Sequence, residues 1–169
     1  MRRLLDALYD GAAWLAALGM IGTLAMVLGS IVDRFVSLPL RGMDAYAGYF
    51  MAASGFLALA HTLKRGEHIR VTLLLNALGA RARRGLEMWC LTAALVLAGA
   101  FAYYSVRLAW QSWEFHDIST GNDATPLWIP QLSMAVGTVL FFIAFLDEWW
   151  LELRGRRGAR ESGELKLHE

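Results

Sequence analysis

Residues 45–63 read AYAGYFMAASGFLALAHTL, nineteen positions without Asp, Glu, Lys or Arg, and they run straight into KRGEHIRV at residues 64–71. At about 1.5 Å of rise per helical residue, such a stretch covers the ~30 Å hydrocarbon layer of a bilayer. The basic turn that follows marks the end of the span. Three further stretches, 11–32, 88–106 and 124–146, also lack all four charged residue types. None of the four carries the polar face that a soluble helix needs. The chain as a whole is 57% hydrophobic and 18% charged, poor material for a soluble domain of 169 residues. Inside lipid each backbone amide and carbonyl needs a partner within its own segment, so long apolar runs form helices there. The expected fold class is therefore an all-α integral membrane protein. It has four transmembrane helices, about 11–32, 45–63, 87–106 and 126–147, in one membrane domain over 1–155.

Arg2 and Arg3 precede the first run in the manner of a signal peptide. That run is too long for a signal core and is followed by no small-residue cleavage site, so it reads as a retained anchor. Cationic residues then set the orientation. The stretch between spans two and three carries Lys64, Arg65, Arg70, Arg81, Arg83 and Arg84, and the tail carries Arg154, Arg156, Arg157 and Arg160. The other two connections hold only Arg34, Arg41 and Arg107. By the positive-inside rule the N-terminus, middle loop and C-terminus are cytoplasmic, and the loops at 33–44 and 107–123 face the other compartment. All seven tryptophans (14, 89, 110, 113, 128, 149 and 150) fall at the predicted interfaces, where an amphipathic indole is favoured.

Small residues mark candidate packing faces: Gly48, Ala52 and Gly55 on the second span, and Ala94, Ala98 and Ala102 on the third. They let backbones approach closely in lipid, where burial offers little drive between helices. Whether the neighbour is in this chain or another is open from spacing alone. Between spans two and three, Ile69, Leu73, Leu74, Leu78 and Leu86 sit among arginines, the pattern of a short amphipathic helix in the headgroup layer. Before span four, Thr125 is placed to cap the helix with Pro126 at its first position, unless an irregular start runs on to Pro130. The charged tail, 156–169, is expected to be disordered.

Catalytic chemistry is missing from the sequence. There is no phosphate loop, no His-Glu-x-x-His helix and no nucleophile elbow. The glycines at 19 and 22 read as packing sites. Cys90, the single cysteine, excludes an internal disulfide and a cysteine metal cluster. Ionisable groups within a membrane are the usual mark of an ion path. Only His61 lies inside a run, near its basic end, and it reads as an interfacial histidine rather than a relay or a haem ligand. His116 is expected on the far side, and His68 and His168 lie outside the spans. Catalytic, cofactor and metal sites are therefore expected to be absent, nucleic acid is not an expected partner, and the chain reads as a subunit rather than an engine.

The ordered set Asp33-Arg34-Phe35, Asp44-Ala45-Tyr46-Ala47-Gly48-Tyr49, Gly66-Glu67-His68-Ile69-Arg70-Val71 and Pro126-Leu127-Trp128-Ile129-Pro130 resembles the small membrane subunit, DctQ-like, of tripartite ATP-independent periplasmic (TRAP) transporters. The resemblance implies two protein partners in a bacterial inner membrane, a large TRAP membrane subunit and a periplasmic solute-binding protein. It also implies an accessory role: bracing the large subunit and helping to dock the binding protein for sodium-coupled uptake of an organic acid. Gly66, Glu67, His68, Ile69, Arg70 and Val71 match the family's signature turn. Arg34, Arg41, Asp44, Glu114, Asp117 and Asp123 then form a candidate periplasmic docking rim. The alternative reading, a membrane anchor of a redox enzyme, would call for a histidine pair at similar depth.

Overall fold

The computed structural model of the chain describes residues 2–36, 42–64, 79–120 and 124–154. Among these the regular structure is four helices, α1 (Arg2–Val36), α2 (Met43–Lys64), α3 (Ala80–Glu114) and α4 (Trp128–Leu153), with one isolated β-bridge. Three of them are long and apolar enough to cross a membrane: α1 over Leu5–Val36, α3 over Ala82–Glu114, and α4. Over its most apolar stretch the 22-residue α2 is less apolar than the other three, because Gly48, Ser54, Gly55, two tyrosines and His61 dilute its uncharged run.

The helices outrun the stretches that define them in sequence. α1 begins at Arg2 and carries Asp6 and Asp10; α3 extends from Ala80 to Glu114. Charge marks where lipid ends, whereas the helical hydrogen-bond ladder continues into water. Leu86, expected in a separate surface helix, belongs to the second turn of α3. The remainder of that expected helix, Ile69 to Leu78, and the tail lie outside the described residues. α4 starts at Trp128, so neither Thr125 nor Pro126 opens it, and Pro130 occupies its first turn, where the missing N–H costs nothing.

Packing orders the helices as a row: α1 against α2, α2 against α4, and α4 against α3. α1 and α3 form the flanks. The α1–α2 pair is antiparallel, since Ser30 meets Asp44 at one end and Asp6 meets Lys64 at the other. Trp149 Nε1 donates to Thr92 Oγ1 at 3.0 Å near one end of α3–α4, which also run antiparallel. The central seam joins α2 and α4. A Cβ built on Gly137 would lie 2.5 Å from the carbonyl oxygen of Phe56, so only glycine permits this approach. Thr138 beside it is fully covered, and its hydroxyl is satisfied within the helix by the carbonyls of Met134 and Ala135.

The interior is built from small side chains. Ala12, Ala16, Ala47, Ala60, Ala98, Ala102, Ala109, Ala135 and Ala144 are buried. Large apolar groups point outward, with Trp14, Leu97 and Trp89 each about 70% exposed or more. In water such a surface would aggregate. In lipid it is the expected arrangement, since tails solvate leucine well and close backbone contact supplies the attraction between helices. Gly19 and Gly22 serve this purpose on α1: a Cβ on Gly19 would sit 3.2 Å from Phe50 O and Ser54, and one on Gly22 would meet the Phe50 ring at 2.9 Å.

Candidate functional site

The end of the row that holds the C-terminus of α1 and the N-terminus of α2 gathers most of the expected rim. Gly42 has φ 86°, a left-handed turn that glycine adopts without a Cβ penalty, and its carbonyl accepts the N–H of Tyr46 at 3.1 Å. Asp44 then falls in the first turn of α2, where the helix dipole favours an anion. It accepts the Ser30 hydroxyl at 2.7 Å and lies 3.8 Å from Arg34 Nη2. Both Arg34 and Asp44 side chains are 77% exposed, so their pairing is worth at most about 1 kcal/mol.

The α3–α4 connection is a hydrogen-bonded clip. Ser119 N–H donates to Thr125 O at 2.8 Å, Leu127 N–H donates to Asp117 O at 2.9 Å, and Ile118 pairs with Pro126 in an antiparallel bridge. His116 (φ 54°) turns the chain out of α3, and its Nδ1 lies 3.1 Å from the Glu114 carbonyl. Two tyrosines of α2 fasten the clip to the row. Tyr49 OH donates to Ser119 Oγ at 2.9 Å, and Thr125 Oγ1 donates to Tyr46 OH at 3.1 Å. Three residues apart on one helix face, their rings meet edge to face at 5.9 Å. These fasteners were not singled out from sequence; paired tyrosines in the first turns of an otherwise small-residue helix were the available signal.

Of the expected rim, Arg34 and Asp44 are therefore brought together, while Glu114 and Asp117 stand exposed at the base of the clip on the same end. Arg41 and Asp123 lie outside the described residues, as do Gly66, Glu67, His68, Ile69, Arg70 and Val71. The expected packing residues divide. Ala98 and Ala102 are buried and Ala94 half-buried, whereas Gly48, Ala52 and Gly55 are exposed. A Cβ on Gly48 or Gly55 would find no atom within 4 Å.

The opposite end carries a cluster that sequence reading did not assemble. Lys64 Nζ lies 2.9 Å from Asp6 Oδ1, 3.9 Å from Asp10 Oδ1 and 5.9 Å from the centre of the Tyr9 ring. His61 Nδ1 is 3.5 Å from Asp10 Oδ1, an electrostatic contact not aligned as a hydrogen bond. The acids are spaced i, i+4 on α1 and the bases i, i+3 on α2, so the two faces match across the seam. Tyr9 packs with Ala60 and Ala144 beneath this latch. His61 thus has a carboxylate neighbour, and His116 stands at the other end of the row. Among the described residues no three His, Cys, Asp or Glu side chains converge to hold a metal ion, and Cys90 is a free, exposed thiol.

A row of long helices with a small-residue interior, an apolar exterior and charges confined near its ends defines a multi-pass membrane protein. Residues 20–155 match the family described as tripartite ATP-independent periplasmic transporters, DctQ component, and the chain belongs to that family, the small membrane subunit of TRAP transporters. A comparison with curated proteins finds no match.

Proposed function

We propose that this chain is an accessory subunit that braces a large TRAP transport subunit and helps a periplasmic solute-binding protein to dock, for sodium-coupled uptake of an organic acid. The family match over residues 20–155 carries this reading. In this proposal all four helices span a bacterial inner membrane, with both chain termini in the cytoplasm. The less apolar α2 fits a spanning role because it has a helix on each side, α1 and α4, and so owes less of its surface to lipid. The Arg34–Asp44 pair, Glu114 and Asp117 supply mixed charge at the periplasmic end, suited to steering an encounter more than to strengthening it.

The test is sodium-driven uptake of candidate organic acids in vesicles holding this chain, a large TRAP membrane subunit from the same organism and its solute-binding protein, each left out in turn. Loss of uptake without this chain is the expected result. Unchanged uptake together with failure to co-purify would reject the accessory role. Charge reversal at Arg34 and Arg41 together tests docking: uptake and its salt dependence should both change, and constancy of both would remove the rim from the mechanism.

A further inference from the structure

Two left-handed residues flank the clip. His116 (φ 54°) and Ala124 (φ 48°) are the non-glycine residues with positive φ among those described. They stand on either side of the rungs that close it, Leu127 N–H to Asp117 O at 2.9 Å and Ser119 N–H to Thr125 O at 2.8 Å. Both side chains are exposed, so neither backbone angle is imposed by burial of the residue's own side chain.

The two are held differently. At His116 the left-handed turn belongs to a helix cap: the His116 N–H points to Trp113 O at 3.4 Å and the Asp117 N–H donates to Ser112 O at 3.0 Å, the paired bonds that close many helices. Its Nδ1 adds a contact of 3.1 Å to Glu114 O, and histidine is among the residues enriched in this region. Ala124 caps no helix and has no polar side-chain atom with which to bond nearby backbone. For a residue with a Cβ the left-handed region is disfavoured about five- to thirtyfold, and it persists only where the surroundings impose it.

Among the described residues, three hydrogen bonds tie the leg 124–127 to the rest of the protein: the two rungs, and the Thr125 hydroxyl on Tyr46 OH at 3.1 Å. Each is worth about two- to twelvefold in equilibrium. Strain at Ala124 therefore offsets one or two of the three. Burial adds little, since Ala124 and Pro126 are exposed and Thr125 and Leu127 only half-buried.

We propose that residues 124–127 form a strap hinged at Ala124, with a fastened and an unfastened state, which opens without unfolding of the helices and frees the Tyr46 hydroxyl and the Ser119 N–H. The strap is a property of this chain alone and stands apart from the accessory role and from the solute carried.

Hydrogen exchange of the full chain in lipid nanodiscs, resolved to single amides, tests it. Ser119 and Leu127 should exchange about a hundredfold or more faster than Gly137 and Thr138 of the α2–α4 seam, through local opening. Ala124→Gly relieves the hinge and should slow Ser119 and Leu127 about threefold, net of the extra freedom that glycine has in the open state. Ala124→Val, at an exposed position where its bulk meets no core, should speed them about tenfold, because a β-branched residue fits the left-handed region worst. Thr125→Val removes the tie to Tyr46 and should speed Ser119 about two- to tenfold. Unchanged exchange in Ala124→Gly and Ala124→Val, or a change of the same sign in both, would overturn the proposal. So would Ser119 and Leu127 exchanging no faster than the seam, because the strap would then open only when the whole protein unfolds.

Discussion

The two ends of the helix row are held by different forces. At the clip end, neutral hydroxyls fasten the structure: Tyr46 and Tyr49 hold Thr125 and Ser119 of the clip, while the charged groups Arg34 and Asp44 remain 77% exposed. At the Lys64 end, ion pairs do the fastening. Lys64 is only 22% exposed and is shared between Asp6 and Asp10, with a tyrosine ring beneath it. Within the α1–α2 pair, charge is therefore consumed internally at one end and left available at the other. The docking role proposed for the clip end would draw on the second arrangement, because exposed charges act at a distance and respond to salt.

Substitutions can separate the two ends, and the largest effect should come from the seam that both share. Gly137→Ala would place a methyl group against the Phe56 carbonyl, and since backbone must then move, we expect a loss of about 1–3 kcal/mol, read as a lower melting temperature in detergent. Lys64→Met comes next. It strands Asp6 and Asp10 beside each other, and because the cluster is half-buried the cost should be about 1–2 kcal/mol, intermediate between exposed and buried pairs. Hydrogen exchange should rise at the N-terminal turns of α1 and leave the clip unchanged.

Tyr49→Phe tests the other end. Losing its neutral hydrogen bond to Ser119 should cost about 1 kcal/mol or less, with faster exchange at residues 117–120 and 124–127. Asp44→Asn should be smallest in stability, a few tenths of a kcal/mol by the same scale for exposed pairs. If uptake depends on the rim, that same variant should still change the salt dependence of uptake. An equal stability loss from Asp44→Asn and Lys64→Met would erase the contrast between the ends.

Much of this architecture can be read from the residues before any coordinates. The uncharged runs locate all four helices, and the alanines at 94, 98 and 102 point to an inner face of α3, where the structure buries two of them. Helix ends are less legible, because charge reports the lipid boundary while hydrogen bonding carries α1 back to Arg2 and α3 on to Glu114. Small-residue spacing also leaves the neighbour unspecified. Gly48, Ala52 and Gly55 have the same spacing logic as the α3 alanines, yet they face outward, because α2 uses Ala47, Ser54, Leu57 and Ala60 for contacts within the chain. The latch was accessible in principle: Asp6 and Asp10 lie one turn apart, as do His61 and Lys64. Matching them requires knowing that α1 and α2 are adjacent and antiparallel. The tyrosine clip joins residues 70 and 79 positions apart, beyond the reach of local pattern.

The row has a consequence for biogenesis. Each outer pair, α1–α2 and α3–α4, is a hairpin of consecutive antiparallel helices, complete once its second member has been synthesised. The α2–α4 seam is the main union between the two hairpins. Assembly can therefore proceed as two local pairings followed by one docking event along the Gly137 surface. A gene divided between the codons for Lys64 and Gly79 should then yield two polypeptides that still find each other in the bilayer.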